Sequence, residues 1–408
     1  MGEKDAYNEA LGSGQYQKPG GLLGKYDNVR RFWEDEQLGL YLRPYLEPLV
    51  DRRVASDERI NILDLGCGSG DGFELITAIN RNDAGRAESE TKLITEANLG
   101  IYQGIDMNDG LLSQAASIYR GMNQLQFTCA DINDCRETTV RSYDLYLANY
   151  GTLSHNKDKA TVNLLTNITR RAAVGSLIVI DWLGRFSYEW QTLWTDDYAR
   201  HQWIDYVISY IYAGGQSSSV KLTHFPLRIM GRREVQNIYR RVRQQTGGKL
   251  RIRRIADRSS LVGRHMNTAQ YNPHCPPLRL LVNSLFEPNR TTNLHDLIIS
   301  YHPREEFTAV DAYYRNLTNA WNYLVRCTQT LLEGSGCPEI PSGTPSVVRQ
   351  AVATIKRIVR ATGSIKMGNP RANLVEPQLG YCLREIESGL QKGLGCGHGL
   401  VAIFEVVK

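Results

Sequence analysis

Ile62-Leu63-Asp64-Leu65-Gly66-Cys67-Gly68-Ser69-Gly70-Asp71-Gly72 decides how this chain is read. The apolar run Ile60-Asn61-Ile62-Leu63-Asp64-Leu65 predicts a buried strand, and a helix is expected from about Asp71. Between them glycine stands at 66, 68 and 70. The backbone there must turn tightly and let a ligand approach, which glycine tolerates best. Such a turn sits at the carboxyl end of the first strand, where doubly wound sheets bind their ligands. The third glycine comes one residue earlier than in the dinucleotide pattern G-x-G-x-x-G. No Lys-Ser/Thr follows, which excludes a P-loop.

Working outward, short apolar runs recur at 101–106, 125–129, 143–149 and 176–183. Helical patterns separate most of them, most clearly at 109–120 and 158–173. Strand and helix in alternation predict an α/β fold with a parallel sheet covered on both faces. The run Ser176-Leu177-Ile178-Val179-Ile180-Asp181-Trp182 suits a central strand. Farther on, 231–246 reads as a helix stopped by Gly247-Gly248, and strands follow at 250–256 and 400–407.

Four features in order make the chain resemble the class I S-adenosylmethionine-dependent methyltransferases, of the kind that act on small molecules. The first is acid-x-Gly-x-Gly-x-Gly, met by Asp64, Gly66, Gly68 and Gly70, with Cys67 inside the loop. The second is an acid ending the next strand, here Asp106 before Met107, which in the family holds the ribose hydroxyls. A carboxylate suits a vicinal diol because it accepts two hydrogen bonds at once. The third is Asp131 with Ile132, where the family binds adenine. The fourth is the strand ending at Asn149 and Tyr150, where the family brings the methyl-bearing end of the cofactor to its acceptor. The distance from Gly70 to Asp106 is longer than the family's usual one, and the excess falls in an Asp/Glu/Arg-rich loop around 80–97.

The resemblance implies a doubly wound, mostly parallel, seven-stranded, Rossmann-like sheet with helical lid insertions and a reversed last strand. It implies S-adenosyl-L-methionine as cofactor and S-adenosyl-L-homocysteine as product. On this reading residues 1–21 are a flexible leader and 22–58 a helical cap in which Pro44 and Pro48 break or kink the helix. The cofactor-binding core is 59–183, followed by an aromatic-rich lid at 184–230. The core continues over 231–260, a largely helical insertion fills 261–397, and 398–408 returns as the last core strand.

Methyl transfer needs the acceptor and the methyl carbon held in line, and a base only where the acceptor is protonated. His155, after the fourth strand, is the candidate base, or else a loop or capping residue. Tyr26, Arg30 and Trp33 of the cap are expected either to cover the cofactor and neutralise its carboxylate or simply to pack. Trp190, Trp194, Tyr206 and Tyr210 are candidates for an acceptor pocket, with core of the lid as the alternative. Arg264 and His265 follow the sixth strand as polar candidates for that pocket, and Arg258 with Arg264 either binds an acidic acceptor or is surface charge.

The chain of 408 residues carries a net charge of +5, with 42% hydrophobic and 22% charged residues. That is an ordinary globular balance. Arg240, Arg241 and Arg243 are expected on a solvated helix face, so nucleic acid is an unlikely partner. The eight cysteines form no CxxC pair and are expected as free thiols, in a cytoplasmic protein without a membrane span or a metal. The strand-four loop lacks the Asn/Asp-Pro-Pro-Tyr/Phe, double-glutamate and Pro-Cys signatures of several nucleic-acid and protein methylating subclasses. A small-molecule acceptor taking the methyl on O or N is the leading expectation. RNA or protein as acceptor, and a non-catalytic cofactor-binding scaffold, stay as alternatives. Apolar positions Tyr313, Leu317, Trp321, Leu324 and Leu331 lie at helical spacing and serve either the lid or a homodimer face.

Overall fold

The computed structural model describes residues 3–12, 14, 21–81, 91–134, 141–197, 202–209 and 222–408, without the side chains of 3–5. Nine strands build one sheet. β1 (Ile60–Leu65), β2 (Leu99–Asp106), β3 (Leu125–Cys129), β4 (Leu145–Ala148) and β5 (Leu177–Gly184) lie parallel in the order β3-β2-β1-β4-β5. At its far edge β5 pairs antiparallel with β9 (Gly399–Val406), from Leu177↔Glu405 to Leu183↔Gly399, and β9 pairs antiparallel with β8 (Leu250–Arg258). These seven strands are the expected mixed, Rossmann-like core, its order reversing between β1 and β4. Two further strands, β6 (Trp203–Val207) and β7 (His224–Met230), form a hairpin in the lid and attach to the last two residues of β5.

Each face of the sheet is covered by helices whose apolar stripes the sequence dictates. One face packs against α5 (Asp158–Arg171) and α6 (Arg232–Gln245) through Leu164, Leu165, Ile168, Val235, Ile238 and Val242. Arg240, Arg241 and Arg243 of α6 face solvent, as expected of its polar side. The other face packs against α2 (Glu36–Ala55) and α3 (Asp71–Ala78) through Leu38, Leu42, Leu46, Phe73 and Ile76. Burying one such side chain is worth about 1.5–3 kcal/mol. That explains why α2 continues unbroken past Pro44 and Pro48, which were expected to break or kink it. Both prolines lie on its exposed side, where the carbonyls they leave unpaired meet water.

Other expectations are also corrected. Within the leader, Glu3–Gly12 forms helix α1, which lies on α4 (Asp109–Ile118). Asn108, the cap of α4, donates to Asn8 at 3.0 Å. The insertion holds α7 (Leu278–Leu285), α8 (Thr308–Leu332), α9 (Ser346–Thr362) and α10 (Glu376–Leu390). The α8 stripe of Tyr313, Leu317, Trp321 and Leu324 is buried inside the chain, so it offers no dimer face. Cys327 on α8 and Cys337 are joined in a disulfide, against the expectation of free thiols throughout. Among the described residues no helix is long and apolar enough to cross a membrane.

Candidate functional site

The strand-to-helix turn after β1 is left-handed at Gly66, Gly68 and Gly70, with φ of 68°, 53° and 84°. A Cβ at Gly66 would lie 2.5 Å from the methyl of Thr152, so only glycine fits under the β4 loop. The turn opens on a cavity of about 440 Å³ at the carboxyl ends of the strands. Gly66, Cys67, Gly68, Asp64, Asp106, Met107, Asp131, Ile132, Asn149, Tyr150 and His155 all line it. The parallel register explains this convergence, since Leu65 lies beside Ile105 and Asp64 beside Leu147.

Asp106 accepts from the Gly68 and Asn108 amides, both at 2.9 Å, which fixes its carboxylate at the lip of the glycine turn. Asp131 accepts from the Asn133 amide at 2.8 Å and lies farther out on the rim. Asp64 faces inward, 2% exposed, and accepts from the Tyr102 hydroxyl. Burial pushes its carboxyl up to about 7, with Asp71 and Asp106 adding to the rise. Burial likewise pushes the Cys67 thiol up, so it is no ready nucleophile.

The cap closes one wall with charge. Lys25 lies 2.8 Å from Asp71, Tyr26 donates to Asp71 at 2.7 Å, and Arg30 approaches at 3.6 Å. Burial works against the Asp71 carboxylate, but Lys25 and Arg30 prevail and hold it well below its usual range. The Arg30 guanidinium lies 3.5 Å from the centre of the Tyr150 ring, whose hydroxyl donates to Asp35 at 2.9 Å. Of the expected cap residues, Arg30 lines the cavity, Tyr26 stands behind it, and Trp33 is core.

Beside Lys25 and Arg30, and also in the cavity lining through Glu34, is a second charged node that the sequence did not reveal. Glu34 accepts from Arg264 at 2.6 Å and from Arg279 at 2.7 Å, and Arg258 stands at 3.4 Å. Arg258 also donates to Asp181 at 2.5 Å. Burial alone would raise the Glu34 carboxyl, yet the arginines hold it well below the ordinary range. Arg258 and Arg264 both line the cavity and are buried, so the surface-charge alternative is excluded for them.

The other end of the cavity is apolar, walled by Leu183, Tyr206, Ile208 and Leu227. Trp190 and Trp194 do not line it. Their indole N–H groups donate to main-chain oxygens of Gly184 and Ser187, at 3.0 and 2.9 Å, and their rings fill the lid core. His265 is also outside the lining, with its amide on Glu189 at 2.5 Å. Burial pushes its imidazole down to about 3. Tyr210 lies outside the described residues. His155 stands at the rim, stacked on Phe225 at 6.0 Å between ring centres. Several lining residues escaped sequence reasoning, among them Lys25, Glu34 and His398. His398, just before β9, has Nδ1 within 2.8 Å of a Glu189 carboxylate oxygen. No motif marks either residue, and they are 209 positions apart.

The arrangement has room and polarity for a nucleoside-bearing ligand. Asn149 is 3% exposed, yet neither its Nδ2 nor its Oδ1 has a hydrogen-bond partner among the described residues. A buried amide left so is costly unless a ligand completes it. The glycine turn, the Asp106 carboxylate and the orphaned Asn149 amide therefore fit S-adenosylmethionine.

The sheet order, with its antiparallel last strand, defines a class I S-adenosylmethionine-dependent methyltransferase fold. Among solved structures, the chain is similar to an S-adenosylmethionine-dependent methyltransferase from Clostridium acetobutylicum. Identity is 13% over 62% of this chain and 90% of that one, with a TM-score of 0.35. It is similar to a methyltransferase of the same kind from Methanosarcina mazei at 16% identity, over 48% of this chain and 82% of that one, with a TM-score of 0.32. A third, from Mesorhizobium loti, shares 13% identity over 48% and 76% of the two chains, with a TM-score of 0.30. No family model and no curated protein sequence matches the chain. The fold assignment rests on strand order and cavity rather than on these likenesses.

Proposed function

We propose that this chain is an S-adenosylmethionine-dependent methyltransferase that places the methyl group on an O or N atom of a small molecule. The observation that carries this reading is one cavity with two unlike ends. Gly66, Cys67, Gly68 and Asp106 line it on the polar side, and Leu183, Ile208 and Leu227 on the apolar side, while Gly70 lies outside the lining. Asn149 and Tyr150 also line that cavity. In this proposal Asp106 holds the ribose hydroxyls, Asp131 and Ile132 face the adenine, and Lys25 and Arg30 take the methionine carboxylate.

When bound, S-adenosylmethionine supplies an electrophilic methyl carbon on a sulfonium. The chain's own part is to position and to exclude water. The cap and α1 cover the cavity from outside, with Tyr7 and Arg30 in its wall. Enclosure by residues from several distant segments suits an acceptor small enough to be surrounded. Exposed arginines on α6 belong to the helix face opposite the sheet, which favours a small molecule over RNA. His155 at the rim stands as a candidate to contact the acceptor.

Calorimetric titration with S-adenosylmethionine tests the reading. The wild-type protein is expected to bind in the micromolar range. Asp106→Ala, which removes the carboxylate at the lip, is expected to weaken binding at least about 10-fold, as loss of a charge-assisted pair of hydrogen bonds does. No binding by the wild-type protein defeats the proposal.

A further inference from the structure

One titratable side chain of the cavity lining has an unexplained arrangement. His398 lies at the start of β9, and its carbonyl accepts from the Gly184 amide at 3.1 Å. Its neighbour Gly399 pairs with Leu183 across the strands. Two residues back along β5, the Asp181 carbonyl accepts from the Gly151 amide at 3.1 Å. His398 therefore stands at the same edge of the sheet as Asn149 and Tyr150, across β5 from them. The residue is part of the cavity lining.

The back of that ring is fixed. Nδ1 lies 2.8 Å from a carboxylate oxygen of Glu189, which is 1% exposed. Glu189 is itself held on three further sides. It accepts from the Ser187 hydroxyl at 2.9 Å and the His265 amide at 2.5 Å, and it lies under Gly263, where a Cβ would come within 2.2 Å of it. Burial works to raise the Glu189 carboxyl, but His398 and the His265 amide hold it down at about 2, so it is ionised. An ionised carboxylate only accepts hydrogen bonds. The proton between the two residues must therefore sit on Nδ1. In the neutral ring this leaves the lone pair on Nε2, and the side-chain hydrogen bond of His398 among the described residues is the one at Nδ1.

We propose that His398, oriented by Glu189, is the general base that takes the proton from a neutral hydroxyl of the acceptor during methyl transfer. This rests on the methyltransferase reading above. The apolar walls of Leu183, Ile208 and Leu227, with the Tyr206 ring, assign the acceptor to hydroxyl compounds with an apolar body, of which a phenol is the simplest. The step balances without any other reagent. The O–H bond breaks and its proton goes to Nε2. The oxygen forms the new bond to the methyl carbon, whose bond to sulfur breaks with the electron pair staying on sulfur. The imidazolium then returns its proton to water. Glu189 is a positioning residue here, fixing the tautomer and favouring the imidazolium. The titratable and charged groups packed around His398 are Glu189 from the lid, Asp181 on β5, Asp257 and Arg258 on β8, and His265 beyond it. His265 lies 6.4 Å away between ring centres and stays neutral in the physiological range.

The test begins without an acceptor. Full-length protein labelled with nitrogen-15 at histidine is examined by side-chain NMR, with His398→Gln to assign the signal. The expected result is an Nδ1–H tautomer of His398 with an unprotonated Nε2 above neutral pH. A proton found on Nε2 up to about pH 9 overturns the proposal, since the ring then has no lone pair to offer. The second arm follows turnover on 4-ethylphenol and on 4-nitrophenol, which is already largely ionised at slightly alkaline pH. His398→Gln is expected to lose about 100-fold or more on 4-ethylphenol and far less on 4-nitrophenol, the signature of a missing base. Equal losses on both overturn it. Glu189→Gln is expected to move the acid limb of the 4-ethylphenol rate profile to lower pH, because the imidazolium loses its carboxylate. Calorimetric binding of S-adenosylmethionine by His398→Gln separates the two readings. Failure of the wild-type protein to bind defeats the methyltransferase reading. Normal binding with undiminished turnover in the variant defeats only the base.

Discussion

Asp64 shows how a single side chain can stand in both the motif and the core. It ends β1, lines the cavity and is almost wholly buried, with the Tyr102 hydroxyl on its carboxylate. Gly72 has no side chain because a Cβ there would lie 2.1 Å from Asp64 Oδ2. The folded carboxyl titrates at about 7, against an ordinary 3.8. Between those values the folded chain keeps a proton that the unfolded chain gives up. Stability contributed at this site is therefore greatest in acid and falls as pH rises from about 4 to about 7, by at most roughly 4 kcal/mol. Asp64→Asn cannot titrate. Its melting temperature is expected to change less than the wild-type value over that window, and parallel pH slopes for the two proteins would refute the assignment. Tyr150 is the other costly residue, a bulky side chain at φ 56°. The Arg30 guanidinium over its ring and the Asp35 carboxylate on its hydroxyl hold it there, next to the orphaned Asn149 amide.

At the scale of elements, the sequence announces what local rules can announce. The β1 turn, the strands of the core and helices α5, α6, α8 and α9 carry their own periodicity or their own glycines, so they were legible without partners. The hairpin β6–β7 was not. Its strands hold Trp203, Tyr206, Phe225 and Pro226, a mixture that reads as lid aromatics until the pairing of Tyr206 with Phe225 gives them register. Helix α10 was missed because its sequence opposes its structure. Pro377, Gly380 and Gly389 are poor helix residues. Gly380 is there for packing, because a Cβ would lie 2.5 Å from the Phe286 ring. Propensity alone makes Gly380→Ala stabilising by about 1 kcal/mol. The contact predicts the opposite sign, a lower melting temperature, with partial recovery when Phe286→Leu makes room. A Gly380→Ala variant more stable than wild type would show that the ring gives way freely. The site divided along the same line. Residues following strands one to four were readable, whereas Lys25, Glu34, Glu189 and His398 act through partners that only the tertiary fold supplies.

For the molecule as a whole, the insertion is not an appendage to a methyltransferase core. A single apolar cluster runs through cap, lid and insertion, from Val29 and Trp33 through Trp190 and Phe225 to Leu317, Trp321 and Leu383. The charged node at Glu34 ties cap and insertion together and joins them to the sheet. Glu34 comes from the cap, Arg258 from β8, and Arg264 and Arg279 from the insertion. Arg279 reaches still farther, with both Nε and Nη2 on the Asp27 carboxylate at 2.7 Å. Such a node is weak evidence of net stabilisation, since each ion was taken out of water. Removing only its anion is another matter. Glu34→Gln removes the carboxylate that Arg264, Arg279 and Arg258 share, while Asp27 still faces Arg279 and Asp181 still faces Arg258, and a loss of up to about 3–5 kcal/mol is expected. Because cap, insertion and β8 meet at that point, the loss is expected in the one cooperative transition of the whole chain. Differential scanning calorimetry should show a single peak moved to lower temperature. A new low-temperature peak, with the main one in place, would mean instead that the lid melts by itself and that the shared apolar cluster does not bind it to the sheet. In a single cooperative body, the closing of the cap over the polar end and the placing of His398 in the cavity lining are set by the same packing. A lesion at Glu34, which lines the cavity beside Lys25 and Arg30, is then expected to weaken S-adenosylmethionine binding as well.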